Sequence, residues 1–356
     1  MSLDIGIVGG GINGMCAAWL LAEGGHKVTV YERDVPMSAT SSASSKLLHG
    51  GLRYLENLEF RLVMEALKER DAWFTRCPQL AKPLKLMIPV YRSSRRSRWR
   101  YALGLSLYDY MAKSDIVSRS QWHTKESILT MSPRLKPEGL QGAYSFWDGQ
   151  MDDQALGLWV TERALWAGVQ LKTRVEVQLI SVQGDVIING GEMVHHQRVI
   201  NVAGPWAESL AIKSGIHLRH QLDLVRGSHI VLREECKQAF LLEVPGEKRI
   251  FFVLPWQGKT MVGTTEIRQD LDEPIMCCAQ EQKYLLEAYR HFFPSSKCDV
   301  EFNFAGLRPL IKSAANPSQA TREYVIEKHG QLLTVLGGKW TTSMALATKI
   351  KEKVIH

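Results

Sequence analysis

The first 35 residues contain the pattern that most restricts how this chain folds. Residues 3–8 form a short apolar run with β-branched side chains, and residues 9–14 form a glycine-rich turn. Residues 15–23 are rich in helix formers, and residues 27–32 form a second apolar run. Strand, turn, helix and strand in this order make a βαβ unit, whose two strands lie parallel in one sheet. The sequence therefore predicts an α/β domain that begins at the amino terminus.

Three glycines in this turn have the spacing of a dinucleotide-binding site. Gly9 makes the tight turn, Gly11 lets the backbone approach a pyrophosphate, and Gly14 lets the helix pack on the strand. The helix start then presents its partial positive charge to the phosphates. Glu32 ends the second strand, where an acid accepts hydrogen bonds from a ribose. A glycine turn without a ligand is the alternative, but the complete strand, helix and acid pattern favours a dinucleotide.

The segment after the second strand indicates which dinucleotide binds. NAD enzymes usually continue with alternating strands and helices, whereas here residues 40–46 are rich in hydroxyl side chains. Hydroxyls and amides at a helix start suit further phosphate contacts. The turns at residues 203–206 and 337–339 offer more contacts far along the chain. Sites spread over the whole chain favour FAD, a long cofactor, over NAD.

Composition limits the class of protein. The 356 residues include 44 basic and 37 acidic side chains, a net charge of +7, and 45% of them are hydrophobic. These fractions are ordinary for a folded protein, and the length suggests two domains. Residues 5–22, the most apolar segment, are interrupted by glycines and lack the basic start and cleavage site of a signal peptide. No apolar run reaches the roughly 20 residues of a membrane span, so we expect a cytoplasmic protein.

The order of the patterns along the chain predicts a discontinuous second domain. Parallel-strand signals lie near residues 5 and 200, while residues 217–265 alternate apolar and polar side chains as in an antiparallel sheet. We therefore expect a mixed α/β (α+β) fold with a Rossmann-like FAD-binding domain and a second domain built on an antiparallel sheet. The expected boundaries are 1–82, 144–215 and 300–356 for the FAD-binding domain, and 83–143 and 216–299 for the substrate-binding domain.

Longer motifs carry a family resemblance. The most specific is TSSASSKLLHGGLRYLE at residues 40–56, followed by EFRLVMEAL. Others are NVAGPW (201–206), RGSHIV (226–231), VGTTE (262–266), GLRPL (306–310), ATREY (320–324) and GGKWTT (337–342). In this order the motifs resemble FAD-dependent glycerol-3-phosphate dehydrogenases of the D-amino-acid oxidase superfamily, over essentially the whole chain. We expect the chain to lack the helical C-terminal domain usual in that family, and Arg226 and Glu266 stand where the resemblance leads us to expect lysine and aspartate.

The resemblance implies an enzyme with non-covalently bound FAD. It implies oxidation of sn-glycerol 3-phosphate to dihydroxyacetone phosphate, by hydride transfer from C2 to flavin N5, with electrons passed on to quinone. Two alternatives stay open: a related oxidase or dehydrogenase of a small 2-hydroxy acid or amino acid, and a flavin-binding partner subunit without turnover. The expected cofactor contacts are Gly9, Gly11, Gly14, Glu32, Thr40, Ser41, Ser42, Ser45, Lys46, His49, Gly50, Val175, Ala203, Gly204, Trp206, Gly338, Lys339 and Thr341.

Charge and titration assign the expected roles at the substrate. A phosphate dianion needs several cations, and arginine binds its oxygens in bidentate fashion. The candidates within the motifs are Arg53, Arg308, Arg322 and Lys339. His229 is the first candidate for the base that removes the hydroxyl proton, with His49 as its rival. Arg308 and Lys339 would stabilise the developing alkoxide and the reduced flavin, and Tyr54 would offer a hydroxyl to the substrate.

Residues 82–113 are the most basic part of the chain, and residues 102–111 add aromatic and aliphatic side chains to it. This combination suits the headgroup layer of an anionic bilayer. The alternatives are a solvated face or a nucleic-acid contact, for which no accompanying motif exists. We therefore expect peripheral contact with the cytoplasmic face of the inner membrane and no nucleic-acid partner. Whether the protein forms an oligomer stays open.

The cysteines and histidines indicate no metal. The six cysteines form no C-x-x-C pair, and even the adjacent Cys277 and Cys278 are expected to be reduced thiols. His195 and His196 are adjacent on a predicted hairpin without a carboxylate cluster, so a surface strand is favoured over a metal site.

Overall fold

The computed structural model describes residues 2–312 and 324–355. The helices are α1 Ile12–Glu23, α2 Phe60–Arg76, α3 Arg98–Ala112, α4 Lys125–Met131, α5 Asp153–Trp166, α6 Ala207–Lys213, α7 Ala279–Phe292 and α8 Ser343–Ile355. The strands are β1 Asp4–Val8, β2 Lys27–Glu32, β3 Leu47–Leu48, β4 Ala81–Tyr91, β5 Gln121–Thr124, β6 Leu140–Met151, β7 Gln170–Thr173, β8 Val177–Ile180, β9 Asp185–Ile188, β10 Met193–His195, β11 Arg198–Asn201, β12 Leu222–Leu232, β13 Ala239–Glu243, β14 Ile250–Trp256, β15 Lys259–Gly263, β16 Ile267–Arg268, β17 Val300–Ile311, β18 Tyr324–His329 and β19 Leu332–Gly337.

The amino-terminal βαβ unit forms as predicted and is part of a mostly parallel sheet. β1 lies parallel to β2, with Ile5 opposite Val28, and parallel to β11 on its other side, with Ile5 opposite Arg198. The strand order is β18-β19-β11-β1-β2-β7, with β18 antiparallel to β19. Helices α1, α5 and α8 cover one face, where apolar side chains such as Leu21 and Ile350 are fully buried. A parallel sheet needs such cover because its strands are apolar on both faces.

A second, larger sheet is mainly antiparallel. Its path is β16-β12-β15-β14-β13-β4-β6-β3, with β17 paired to β12 and β5 paired to β6. The alternating segment 217–265 forms β12 to β15, which pair antiparallel to one another as predicted. Helix α7 packs on this sheet, and a separate apolar core lies beneath it. A small β8-β9-β10 sheet lies apart from both.

Three strand ends of the parallel sheet converge on one edge. β1, β11 and β19 run into the glycine-containing turns at residues 9–11, 203–204 and 337–338. The carboxyl edge of an open parallel sheet is where ligands of such folds bind. In the larger sheet, β12 and β17 pair so that Val225 lies opposite Arg308, which brings this strand pair to the same edge. The two sheets therefore meet at the predicted cofactor site.

No helix among residues 2–312 and 324–355 is both long enough and apolar enough to cross a membrane.

Candidate active site

A cavity of about 530 Å³ lies where the carboxyl edge of the parallel sheet meets the antiparallel sheet. Segments that are far apart along the chain line it, within residues 8–54, 175–229, 264, 306–310 and 337–341. The predicted site residues in its lining are Gly9, Gly11, Glu32, Thr40, Ser41, Ser45, His49, Tyr54, Val175, Ala203, Gly204, Trp206, His229, Arg308, Gly338, Lys339 and Thr341.

The three motif glycines have two different functions in the structure. Gly9 has a φ of +111°, and a Cβ there would lie 2.7 Å from the carbonyl oxygen of Val202. Gly14 packs so closely that a Cβ would overlap the carbonyl oxygen of Gly9. Gly11 has an ordinary φ of −74°, and a Cβ there would meet only Ser41 Oγ, at 3.1 Å. Gly9 and Gly14 thus allow strand and helix to pack, whereas Gly11 keeps the backbone accessible from the cavity.

The start of α1 faces this cavity with its positive dipole end. Gly11 is its N-cap and offers no capping side chain, and the first turn has no acidic residue. The Ile12 amide donates to Ser41 Oγ at 3.0 Å. Unfilled amides at a helix start bind phosphate groups well, so this end of the cavity fits a pyrophosphate.

Glu32 lies at the end of β2, as predicted, and lines the cavity. Its carboxylate accepts from the Gly10 amide at 2.7 Å and from the Asp34 amide at 2.9 Å. These bonds fix the side chain beside the glycine turn. A carboxylate has about four acceptor positions, so capacity remains for ribose hydroxyls.

The serine loop, residues 40–46, connects the cofactor end of the cavity to the candidate base. Thr40 Oγ1 donates to the Leu307 carbonyl at 2.8 Å, and the Ser41 carbonyl accepts from Trp340 Nε1 at 3.0 Å. Ser45 Oγ lies 2.9 Å from His229 Nε2. The loop is therefore tied to elements from three distant parts of the chain.

Two predicted cofactor contacts on this loop are not in the cavity lining. Ser42 Oγ donates to the carbonyl of Ala39 at 3.1 Å. Lys46 is buried, and its ammonium group lies 2.6 Å from the Asp153 carboxylate. The structure therefore gives Lys46 an internal anionic partner in place of a cofactor phosphate.

Gly50, another predicted contact, lies behind the cavity wall. Its amide donates to Asp148 Oδ1 and to Tyr108 Oη, both at 3.0 Å. Asp148 also accepts from Tyr108 at 2.6 Å and lies 3.3 Å from the buried Arg70 guanidinium. Burial raises the pKa of this carboxyl. A Cβ at Gly50 would overlap Tyr108 and Leu67, so packing explains why the motif has glycine here.

His229 is the buried histidine of the cavity. Its ring stacks on Phe304 with a centroid distance of 4.8 Å, and its Nδ1 has no hydrogen-bond partner among the described residues. Burial lowers the pKa of His229 to about 3, and the positive charges of Arg308 and Lys46 act in the same direction. The imidazole is therefore neutral at physiological pH, which is the form that accepts a proton.

We expect this imidazole to make the folded protein less stable as the pH falls below its unfolded pKa of 6.5. Between that value and the folded pKa, only the unfolded chain binds the proton, so acid favours unfolding. From about pH 7 to about pH 5 the free energy of unfolding should fall by about 2 kcal/mol through this residue. Urea denaturation of the wild type and His229→Asn at both pH values measures the difference; equal decreases would contradict it.

Arg308 extends from β17 into the same cavity. Its Nη2 donates to the Thr265 carbonyl at 2.7 Å, and its Nη1 lies 3.9 Å from the Glu266 carboxylate. Glu266 in turn lies 3.5 Å from Arg249. The longer side chain at position 266 thus lies between two guanidinium groups. Its negative charge balances part of the positive charge at the cavity wall.

Lys339 supplies a second cation to the cavity. It follows Gly337 and Gly338, whose φ values of +82° and +100° make the turn after β19. Its ammonium lies 4.0 Å from the ring centroid of Tyr54, a cation–π contact. Lys339 Nζ is shielded from solvent and, within the described ranges, has no hydrogen-bond partner. His49 and Thr341 lie beside this group, since the His49 amide donates to Thr341 Oγ1 at 3.2 Å.

Of the two remaining substrate candidates, only Arg53 lies among the described residues, and it is not in the cavity lining. Arg53 lies in the short 3₁₀ segment Leu52–Asn57, outside the lining residues. Arg322 lies outside the described residues. The lining therefore contains two of the four predicted phosphate-binding cations, Arg308 and Lys339.

Two of the lining residues that the sequence reasoning missed, Arg33 and Asn13, carry polar side chains. The Arg33 guanidinium lies 3.7 Å from the Trp206 ring centroid, at the end of the cavity that also contains Val175. The sequence signal that could have identified Arg33 is its position directly after Glu32. Asn13, inside the glycine motif, has a buried Oδ1 without a described partner. Nothing in its sequence context distinguished it from an ordinary helix residue.

The adjacent histidines are used in different ways. His195 is exposed and lies 2.9 Å from Asp185, whereas His196 is buried between Asp4 and the hydroxyl of Tyr31. The part of the chain that the structure describes contains no group of three or more His, Cys, Asp or Glu side chains arranged to hold a metal. Every cysteine there is a free thiol.

The cavity fits a polar, anionic cofactor. Unpaired buried polar atoms are costly, yet Asn13 Oδ1, His229 Nδ1 and Lys339 Nζ lack partners in residues 2–312 and 324–355. All three residues line the cavity. An extended ligand with phosphates, hydroxyls and ring polar atoms would satisfy them, and Gly11 leaves room for it beside the helix start.

Comparison with known proteins agrees with this geometry. Residues 4–347 match the DAO family, described as FAD dependent oxidoreductase. The aerobic glycerol-3-phosphate dehydrogenase of Escherichia coli K12 is 35% identical over 99% of this chain and 73% of its own length. The enzyme of that name from Staphylococcus haemolyticus is 31% identical over 98% of this chain.

A solved structure shares the fold over almost the whole chain. The glycerol-3-phosphate dehydrogenase from Bacillus halodurans, complexed with FAD, superposes with a TM-score of 0.79 at 25% identity. The match covers 99% of the present chain and 64% of that one. The present chain likewise spans 66% of the length of the Staphylococcus haemolyticus relative.

Proposed function

The chain belongs to the DAO family of FAD-dependent oxidoreductases, and from that premise we propose that it oxidises sn-glycerol 3-phosphate to dihydroxyacetone phosphate. The relatives' names support this substrate. The observation that carries it is Lys339, whose shielded ammonium faces the cavity that Arg308 also lines. A dianionic phosphate needs more positive charge than the single carboxylate of a hydroxy acid or amino acid.

FAD is the cofactor of this family, as the motif pattern predicts. We propose that FAD is bound non-covalently. The start of α1 and the serine loop would hold its pyrophosphate, and Glu32 would hold its ribose. When bound, FAD would supply the acceptor for one hydride, which carries both electrons of the oxidation. Lys339 and Thr341, at the far end of the lining, would contact the flavin ring.

His229 is the proposed base. If its Nε2–H donates to Ser45 Oγ, the Nδ1 lone pair is available to take the substrate hydroxyl proton. Arg308 would orient the substrate and stabilise negative charge on its oxygen as that proton leaves. Tyr54, packed against Lys339, would offer its hydroxyl to the substrate.

The proposal is tested by anaerobic mixing of the purified yellow protein with candidate substrates. We expect glycerol 3-phosphate to bleach the oxidised flavin band, and a quinone analogue to restore it. Lactate and alanine should leave the band unchanged. Bleaching by either of these alone would favour the hydroxy-acid or amino-acid alternative, and no bleaching by any of them would favour a partner subunit without turnover. His229→Ala should abolish fast bleaching of the flavin band. Unchanged turnover and pH dependence in this variant would mean that another residue is the base, and His49 would be the next candidate.

We propose a membrane contact through helix α3. Trp99, Leu103 and Tyr110 are 80%, 75% and 72% exposed and recur at helical spacing on one face. Arg95 is exposed nearby, Arg100 is exposed but lies 3.7 Å from Glu56, and Arg96 is held between Glu56 and Glu243. Only part of the charge in residues 82–113 is therefore available to lipid. The expected partner is the anionic cytoplasmic face of the inner membrane.

Vesicle co-sedimentation tests this contact. The wild type should bind vesicles rich in anionic lipid at low salt and be released as the salt rises. Trp99→Ser with Leu103→Ser should weaken binding by about tenfold or more, because it removes most of the inserted apolar area. Trp166→Ser is the matched control, since Trp166 is 73% exposed on α5. No binding by the wild type, or equal loss in the control, would rule the α3 surface out.

We also propose the two-part division of the chain, with 1–82, 144–215 and 300–356 binding FAD and 83–143 and 216–299 facing the substrate. The parallel sheet supports the first set and strands β12 to β16 the second. β17 begins at the third boundary and pairs with β12 along most of its length. The two parts would therefore be joined by a continuous strand pair, which resists movement between them.

A further inference from the structure

Asp153 is a buried carboxylate that lies behind the cavity wall. It is the first residue of α5, it is fully buried, and it is absent from the cavity lining. Its Oδ2 accepts from the Ser44 amide at 3.0 Å and from Ser44 Oγ at 2.7 Å. Its Oδ1 accepts from Lys46 Nζ at 2.6 Å. One carboxylate therefore holds two residues of the serine loop from the side opposite the cofactor cleft.

Lys46 completes this arrangement. Its ammonium also donates to the Ser42 carbonyl at 2.7 Å, and its backbone amide donates to Ser44 Oγ at 3.0 Å. The residue has a φ of +58°, in the left-handed region, so the chain turns sharply where the pair forms. The pair thus fixes both the path of the loop and the direction of the neighbouring Ser45.

The same pair contacts the surroundings of the candidate base. Lys46 Nζ lies 5.1 Å from the ring centroid of Phe304, and the same ring stacks on His229. Ser45, between the two anchored residues, lies 2.9 Å from His229 Nε2. Any shift of the loop therefore moves the hydroxyl that orients this imidazole.

We propose that Asp153 is a positioning residue which, through its ion pair with Lys46 and its bonds to Ser44, sets both the affinity for FAD and the orientation of His229. The loop it anchors supplies Ser41 to the start of α1 and Ser45 to the imidazole. The effect on FAD affinity rests on the family's cofactor, and the effect on the orientation of His229 rests on its proposed function as the base.

A buried ion pair alone has a different explanation, which is simple stability of the fold. Removing one partner of such a pair destabilises strongly, but replacing both by apolar residues often restores stability. The two explanations therefore separate in a double variant. If the pair only stabilises, FAD affinity returns with stability; if it positions the loop, stability returns and affinity does not.

The test compares FAD dissociation constants and melting temperatures of purified holoenzymes. We expect Asp153→Asn to raise the Kd for FAD by about 100-fold, as small misplacements of binding groups do. The double variant Asp153→Leu with Lys46→Met should regain most of the melting temperature while the Kd stays high. A Kd that returns to the wild-type value in the double variant, or that never rises in Asp153→Asn, would overturn the proposal.

The neighbouring Asp152 provides the matched control. It caps the same helix, accepting from the Ala155 amide at 3.0 Å, and makes no contact with the serine loop among its described hydrogen bonds. Asp152→Ala should lower the melting temperature through loss of the cap and leave the Kd for FAD unchanged. A rise of the Kd in this variant equal to that in Asp153→Asn would also overturn the proposal.

The link to His229 has its own readout. Ser45→Ala and Asp153→Asn should alter the pH profile of kcat in the same way, and combining them should add little, because both act through one hydrogen bond. Additive effects would overturn this part. If the wild type is not reduced by glycerol 3-phosphate, the proposed function fails, while the Kd comparison still decides whether Asp153 positions the loop.

Discussion

Arg308→Leu should lower kcat/KM for glycerol 3-phosphate by about 1000-fold, as expected for removal of a preorganised charged donor. The variant loses the guanidinium that faces the cavity from β17. It also leaves the Glu266 carboxylate, 3.9 Å from Arg308 Nη1 and 3.5 Å from Arg249, without the balancing charge of Arg308 near the proposed site of a dianionic substrate. Both changes act against substrate binding and against charge developing on its oxygen.

Steady-state turnover with a dye acceptor measures this effect, and the flavin spectrum confirms that FAD is still bound. A double variant, Arg308→Leu with Glu266→Gln, should recover about tenfold, because it removes a negative charge that Arg308 no longer balances. Arg308→Lys should retain part of the activity but lose bidentate binding. A decrease of less than about threefold in Arg308→Leu would mean that the substrate phosphate and alkoxide lie elsewhere.

Gly14→Ala should prevent assembly of the FAD-bound protein. The added Cβ would overlap the carbonyl oxygen of Gly9 and lie 3.2 Å from Val202 Cγ1. Because Gly9 O is a backbone atom at the end of the parallel strand, the helix must move away from the sheet. We expect a loss of about 3 kcal/mol or more, typical of overpacking in a close-packed core, together with loss of the yellow colour on purification.

Two other glycines separate packing from cofactor contact. Gly11→Ala should keep the fold, since its Cβ meets only a serine hydroxyl, and should weaken FAD binding where the backbone approaches the pyrophosphate. Gly104→Ala, in α3 with open space around its Cβ, should raise the free energy of unfolding by about 1 kcal/mol. Circular dichroism melts and the flavin-to-protein absorbance ratio measure all three variants. A yellow, stable Gly14→Ala protein would contradict the packing argument.

Local patterns predicted the parallel sheet and part of the cavity lining. The turn of Gly9 to Gly14, the acid Glu32 and the turn before Lys339 each depend on a few adjacent residues, and each lies where expected. The positions of these turns and of this acid depend on the local backbone conformation, which a few adjacent residues determine. The family itself followed from the longer motifs around them.

Other features depend on partners far along the chain. Lys46 beside several hydroxyls resembles a phosphate ligand, but Asp153, 107 residues away, takes its charge. Gly50 resembles a cofactor contact, but Tyr108 and Leu67 leave no room for a side chain there. Arg96 contributes to the basic stretch in sequence and is neutralised by Glu56 and Glu243 in the fold. A local sequence pattern does not indicate which distant carboxylate will form an ion pair with a given cation.

The order of strands in the parallel sheet has a consequence for synthesis on the ribosome. β11 lies between β1 and β19, so one edge of the amino-terminal βαβ unit stays open until residue 198 has emerged. The last cavity wall forms only when residues 332–337 pair with β11. Pairings this distant in sequence form slowly, and an open strand edge is prone to wrong pairing. The nascent chain therefore carries an unprotected sheet edge from the end of β2 until residue 198 has emerged, and the cofactor site is complete only after residue 337 has emerged.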